Sequence, residues 1–175
     1  MPVILERAGA DVLQMAQDVM QQFHKERLMF CEGEYPRLCI LMASNSDIEE
    51  PAVKLHGYAY AATISVIPYK QRVDKRADAE IIIDERNWLN LPENQQKALL
   101  DHEITHLELI KDETGCLKTD DMGRPKLKMR LHDWQMGGFR EVAKRWGDDA
   151  PEVIVAKDFE KRYGDDALNR HSLFA

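Results

Sequence analysis

The sequence has few cysteines and no long apolar run. Its three cysteines, Cys31, Cys39 and Cys116, form no C-x-x-C pair among the 175 residues. This argues against a disulfide framework and against a zinc site built from cysteines alone. No run reaches the roughly 18 apolar residues that a membrane span requires, and residues 1–11 lack the apolar segment of a secretory signal. We therefore expect a cytoplasmic protein without a membrane segment.

An excess of basic charge is also absent. The chain has 24 lysines and arginines against 31 acidic residues, which gives a formal net charge of −7. This balance argues against a generally basic surface of the kind that binds nucleic acids. Two local basic clusters nevertheless leave contact with DNA as an alternative. They are Lys70, Arg72, Lys75 and Arg76, followed by Lys126, Lys128 and Arg130.

The most informative stretch is H-E-x-x-H, which places His102, Glu103 and His106 close together. It lies in a segment predicted to be helical, with Asn90 as the N-cap. Residues four apart share one face of a helix, so both imidazoles can bind one Zn²⁺. Glu103 can then reach water bound to the metal and act as general base. The pattern indicates metal-assisted hydrolysis and a candidate metallopeptidase. Because imidazoles also bind other divalent metals, the identity of the native ion stays open.

A catalytic zinc site needs a third protein ligand. His132 is the preferred candidate, because it follows the motif and stands just before a predicted helix. Glu141, on that predicted helix, is the alternative, since some zinc hydrolases take a glutamate from a following helix.

Further residues could support the reaction around the metal. An oxyanion that forms during hydrolysis needs an electrophile besides the ion, and Tyr69, Arg130 and Lys128 are candidate donors. Asp133 could orient a ligand histidine from behind. It could equally be an acidic residue in the first turn of a helix.

The apolar periodicity predicts an α+β fold. We expect a single domain over residues 1–175, with its core at about 8–163 and a frayed C-terminal tail. A small mixed sheet of about three to four strands would pack against an N-terminal helix and the H-E-x-x-H helix. The predicted helices are 8–27, 92–111, 133–146 and 151–163, and the predicted strands are 37–43, 58–67 and 79–84. The predicted loops and turns are 44–57, the charged turn 70–78, and a hairpin or loop over 116–130.

The strand predicted at 79–84 has two interpretations. It can be an ordinary core strand, or it can be a sheet edge to which a peptide substrate adds as a further strand.

Two segments resemble a known group of proteins. Leu99–Leu109 (LLDHEITHLEL) and Lys126–Phe139 (KLKMRLHDWQMGGF) resemble the small zincin-like metallopeptidases of phages and prophages. His132-Asp133-Trp134 with the following Phe139 is similar, more distantly, to SprT-like (Spartan-like) proteases. The resemblance covers roughly residues 35–146. It implies that His102, His106 and His132 bind zinc, that Glu103 is the base, and that the substrate is a protein or peptide in the host cytoplasm.

The leading hypothesis is a zinc-dependent metalloendopeptidase. One alternative is a SprT-like protease that acts on DNA-bound proteins, although the chain has no paired cysteines for the zinc ribbon that SprT-like proteins often carry. Another is a non-catalytic zinc-binding module. Glu103 argues against it, because a purely structural zinc site needs no base.

Overall fold

The structure is a computed structural model that describes residues 3–46, 50–55, 58–75, 77–121, 123–133 and 138–170, without the side chains of 55, 73–75 and 163–170. Its helices are α1 Ala10–Phe23, α2 Lys25–Leu28, α3 Tyr69–Lys75, α4 Glu85–Asn90, α5 Glu93–Thr105, α6 Arg140–Trp146 and α7 Pro151–Arg170. Its strands are β1 Val3–Arg7, β2 Leu38–Asn45, β3 Lys54–Leu55, β4 Tyr58–Ala59, β5 Ala62–Val66, β6 Ala79–Asp84, β7 Leu107–Leu109 and β8 Leu127–Met129.

A four-stranded mixed sheet forms the centre of the fold. Its strand order is β1-β2-β6-β5, with β2 and β6 parallel and the two outer pairs antiparallel. Ala79, Ile81 and Ile83 of β6 have no exposed surface, as expected for a central apolar strand. Because β6 is paired on both sides, it cannot offer an edge to a substrate. The strand at 79–84 is therefore a core strand, and the edges of this sheet are β1 and β5.

Helices α1 and α5 share one hydrophobic core with the sheet. Val12, Ala16 and Val19 form the buried stripe of α1, at the spacing that one helix face requires. Leu100 and Ile104 of α5 join the same core and are fully buried. This arrangement confirms the predicted α+β fold, in which the N-terminal helix and the motif helix pack with a small mixed sheet.

The motif helix is shorter than the sequence predicts. Helix α5 begins at Glu93 and ends at Thr105, whereas the prediction was 92–111. Asn90 is the last residue of α4 and does not cap α5. The chain leaves the helix at His106 because the next residues pair as β7 with β8. H-E-x-x-H therefore lies at the C-terminal end of its helix and not near its middle.

Further elements differ from the prediction. The strand predicted at 58–67 is divided into β4 and β5, the predicted loop 44–57 contains β3, and α4 was not predicted. The helix predicted at 8–27 is interrupted at His24, which separates α1 from α2. The segment predicted as a charged turn at 70–78 instead forms helix α3. The Arg72 amide donates a hydrogen bond to the Pro68 carbonyl, and the buried Arg72 side chain pairs with Asp120. Strand β1 was not predicted, because all five of its residues are exposed and show no alternation.

A hairpin returns the chain from the motif to His132. Strands β7 and β8 pair antiparallel, and two isolated bridges, Lys111 with Leu117 and Thr119 with Pro125, extend the arrangement. Within 116–130 the chain forms a bridged turn at Thr119 and Pro125, but the partner of β8 is β7, which lies in the segment predicted as a helix at 92–111.

The connection after β8 places His132 in a loop. The helix predicted from 133 begins only at Arg140 as α6, and residues 134–137 lie outside the described ranges. His132 is therefore not at a helix N-terminus. Instead, the chain is held near the motif by the Arg130 amide, which donates to the His106 carbonyl at 2.6 Å.

Candidate active site

Three histidines meet at the C-terminal end of α5. His102 belongs to the last turn of the helix. His106 is the first residue after the helix, and His132 lies in the connection after β8. One ligand nitrogen from each imidazole lies within 4.8 Å of those of the other two. The Nε2 atoms of His102 and His132 are 3.2 Å apart. Two nitrogen lone pairs at this distance repel each other unless a proton or a cation lies between them.

The other ring nitrogens of the motif histidines are engaged by acceptors. His102 Nδ1 donates to Glu152 Oε1 at 2.8 Å, and His106 Nδ1 donates to the Arg130 carbonyl at 2.8 Å. A carbonyl or an ionised carboxylate can only accept, so in both neutral imidazoles the proton is on Nδ1. Each Nε2 then carries a free lone pair. These three imidazoles form a donor set that can hold a divalent metal ion.

The protonation equilibria of the three histidines differ with their surroundings. Burial lowers the pKa of His106 to about 4, and burial and the nearby His102 also lower the pKa of His132. Burial alone would lower the pKa of His102 as well. The hydrogen bond to Glu152 and the charge of Glu103 instead raise it above its ordinary value. At neutral pH His106 and His132 are thus neutral and can act as ligands.

Glu103 lies beside this group at the bottom of a cleft. Its side chain is 5% exposed, and burial raises the pKa of its carboxyl to about 7. The cleft has a volume of about 530 Å³, and His102 and His132 also line it. A carboxyl group with a pKa near neutrality can both accept and return a proton.

Glu152 is a site residue that the sequence did not reveal. It lies in the first turn of α7, 50 positions after His102, and no motif connects the two. Its Oε1 also accepts the Phe139 amide at 3.0 Å, while the Phe139 ring lies 4.7–5.2 Å from all three imidazole rings. Glu152 therefore fixes the ring orientation of His102 and ties α7 to the site.

Glu141, the alternative third ligand, faces arginines. Its carboxylate accepts from Arg130 at 2.5 Å, from Arg27 at 2.8 Å and from Arg145 at 3.4 Å. The group of potential ligands found among the described residues consists of the three histidines and does not include Glu141. A carboxylate that already balances three guanidinium groups is a poor candidate for a metal ligand.

The predicted supporting residues Arg130 and Asp133 are paired with each other and are not among the residues that line the cleft. Arg130 spans Glu141 and Asp133, and its guanidinium lies over the Phe139 ring, 5.0 Å from the centroid. Asp133 accepts from Arg130 and from the Arg140 amide, so it holds the loop that carries His132.

The other two candidate donors lie away from the cleft. Lys128 pairs with Glu108 on the hairpin at 3.2 Å. Tyr69 lines a separate depression with Ile110 and Leu127. The tyrosine that lines the histidine cleft is Tyr60, which the sequence did not single out.

Comparison with known proteins identifies the family. Residues 5–163 match the family described as putative phage metallopeptidase. The chain belongs to that family. Membership implies metallopeptidase activity, a metal cofactor and a protein or peptide substrate. No curated protein and no solved structure matches the chain. Within the described ranges, no helix is long and apolar enough to cross a membrane.

Proposed function

We propose that the protein is a zinc-dependent metalloendopeptidase. The observation that carries this proposal is the convergence of His102, His106 and His132 beside the buried carboxyl of Glu103. The three histidines would hold the ion. Three imidazole ligands and an open position are typical of catalytic zinc sites. When bound, Zn²⁺ supplies a Lewis acid that polarises a carbonyl group and makes water more acidic.

Glu103 would act as general base and then as general acid. Its carboxylate would accept a proton from the attacking water and pass it to the amine that leaves when the peptide bond breaks. Burial supports this role because it keeps the pKa near neutrality. Glu152 holds His102 and the Arg130 carbonyl holds His106. These hydrogen bonds would keep the Nε2 lone pairs of both histidines directed to the ion during the reaction.

The cleft continues to the edge strand β5. Ala61 and Ala62, where β5 begins, line the same cleft as Glu103 and His132. An extended peptide could add its main chain to this edge and bring one of its peptide bonds to the three histidines. Tyr60, in the same segment, is the tyrosine available as a donor to an oxyanion.

The DNA-associated alternative receives less support from the basic clusters. Arg72 is 7% exposed and paired with Asp120, Lys128 is paired with Glu108, and Arg130 is paired with two carboxylates. Side chains neutralised in this way offer little charge to a phosphate backbone. A non-catalytic module would have no use for Glu103, whose burial without a base function would be a cost.

Replacing Glu103 by glutamine tests the proposal. We expect Glu103→Gln to reduce cleavage of an unfolded protein such as casein by about 10²- to 10⁴-fold, because the base is lost. Zinc content should not change, since all three imidazoles remain. Glu108→Gln, a half-exposed glutamate on the hairpin, is the matched control and should cleave normally. Cleavage by Glu103→Gln at the rate of the control would contradict the proposed role of Glu103.

A further inference from the structure

The cleft beside the three histidines has an unusual composition for a site with so many ionisable groups. Apart from His102, Glu103 and His132, its lining consists of alanine, leucine, proline, valine and one tyrosine. None of its described lining residues other than Glu103 has a formal charge. This contrasts with the chain as a whole, in which 31% of the residues are charged.

One wall of the cleft is made of three alanines and a tyrosine. Ala59, Tyr60, Ala61 and Ala62 line it in succession; Ala62 is only 4% exposed, whereas Tyr60 is 40% exposed. Leu99 lies one helical turn before Glu103 and is 5% exposed, so it forms an apolar floor beside the carboxyl. Methyl groups along this wall leave space that a larger side chain from the substrate can fill.

A second part of the lining belongs to the start of α7. Pro151 and Val155 line it, and Val155 is 56% exposed, which places it at the rim. Glu152, between them, does not line the cleft, because its carboxylate is directed to His102 and the Phe139 amide. The acidic residue of this turn is thus withdrawn from the cleft, and its apolar neighbours remain.

From this lining we infer that the cleft is a side-chain subsite for a large apolar residue, such as leucine, methionine or phenylalanine, next to the cleaved peptide bond. The inference rests on the proposed function, since it names the substrate class of that site. An apolar side chain would exchange water for methyl and methylene contacts in the cleft. A charged side chain would lose its hydration, and the ionisable partners in the described lining are Glu103 and the two histidines, which the proposed reaction itself occupies.

A binding experiment tests the subsite without requiring turnover. Amino-acid hydroxamates bind a catalytic zinc ion through the hydroxamate group and present one side chain to the surrounding cleft. Calorimetry on the zinc-loaded protein would compare the hydroxamates of phenylalanine, leucine, glycine, aspartate and lysine. We expect the first two to bind at least about tenfold more tightly than glycine hydroxamate, and the charged pair to bind no better than glycine. Equal affinity for phenylalanine and glycine hydroxamates would overturn the inference.

A charge at the rim should change this preference in a defined direction. Val155→Lys should weaken the binding of phenylalanine hydroxamate and strengthen the binding of aspartate hydroxamate. Val155→Glu should instead strengthen the binding of lysine hydroxamate. Val155 is exposed enough for either change to leave the fold intact. Ile154→Lys is the matched control, because Ile154 is adjacent on α7, 38% exposed and not part of the lining. If Ile154→Lys shifted the preference as strongly as Val155→Lys, the assigned wall would be wrong.

Cleavage data separate this inference from the proposed function. If casein is cut, mass spectrometry of the fragments should find a large apolar residue at one fixed side of most cuts, and a majority of charged residues there would overturn the subsite. If casein is not cut but the hydroxamates follow the predicted order, the proposed function fails while the apolar subsite stands.

Discussion

Two histidine–carboxylate pairs lie at neighbouring positions of the motif helix, and they perform different tasks. In the first, His24 Nε2 is 2.7 Å from Asp101 Oδ1. In the second, His102 Nδ1 is 2.8 Å from Glu152 Oε1. Both pairs are largely buried and join α5 to a distant part of the chain. Their geometry is alike, so the difference must come from what surrounds each pair.

The first pair is closed by further partners. His24 Nδ1 is 2.6 Å from a nitrogen of the Arg27 guanidinium, while Asp101 accepts two hydrogen bonds from Arg145 and one from the Trp146 indole. Burial alone would raise the pKa of Asp101, but the hydrogen bonds from His24 and Arg145 and their charges lower it to about 2. With both nitrogens and both oxygens engaged, this pair can only stabilise the fold.

The second pair is left open at both ends. His102 Nε2 is directed to His132, and Glu152 Oε2 is buried with no hydrogen-bond partner among the described residues. An imidazole held firmly at one nitrogen, with the other free, is the arrangement that metal ligands need. The free lone pair on His102 Nε2 therefore distinguishes the candidate metal site from the structural network around Asp101, one residue away.

The largest effect should follow from opening the closed pair. Asp101→Asn keeps the shape of the side chain but leaves Arg145 and the buried network without their counter-charge. We expect it to lower the free energy of unfolding by about 3 kcal/mol, measured by urea denaturation of the metal-free protein. Asp148→Asn, which removes the exposed pair with Lys157, is the control and should not move the midpoint. A midpoint unchanged in Asp101→Asn would mean that the network does not stabilise the fold.

A smaller effect of a different kind should follow at the open pair. Glu152→Gln preserves an acceptor for His102 but removes the negative charge. Zinc affinity should fall by about 10- to 100-fold, measured by competition with a chromophoric chelator. The metal-free variant should lose less stability than Asp101→Asn, because Glu152 accepts from His102 and the Phe139 amide at one oxygen, whereas both oxygens of Asp101 are engaged by His24, Arg145 and Trp146. A loss of stability equal to that of Asp101→Asn would show that the two pairs do not differ as described.

The smallest effect should come from the link between the two regions. Arg130 belongs to the network through Glu141 and to the site through its carbonyl, which accepts from His106. Arg130→Lys retains the main-chain carbonyl and the positive charge, but it loses the guanidinium group that donates hydrogen bonds to both Glu141 and Asp133. We expect zinc affinity to fall by less than about tenfold. Lys128→Gln, on the same hairpin, should leave it unchanged, and a larger loss in this control than in Arg130→Lys would count against the link.

Local sequence patterns predicted what depends on local spacing. The stripe of α1, the apolar strand β6 and the one-turn spacing of His102 and His106 all follow from the geometry of a single element. His132 also lies beside the two motif histidines, but the helix start on which its choice as a ligand rested is absent, since α6 begins only at Arg140.

Features that depend on distant pairing could not be predicted in this way. Helix α5 ends at Thr105 because the residues after His106 form β7, which pairs with a strand about 20 residues further on. Glu152 and His24 meet the motif helix across 50 and 77 positions, and nothing in their local sequence marks them.

The zinc content of the purified protein and its variants tests the central claim most directly. We expect one zinc ion per chain in the wild type and in Glu141→Gln, because the carboxylate of Glu141 binds arginines. We expect little or no zinc in His132→Ala after dialysis against a weak chelator, because only His102 and His106 would remain as ligands. Full zinc occupancy in His132→Ala, together with its loss in Glu141→Gln, would contradict the three-histidine site.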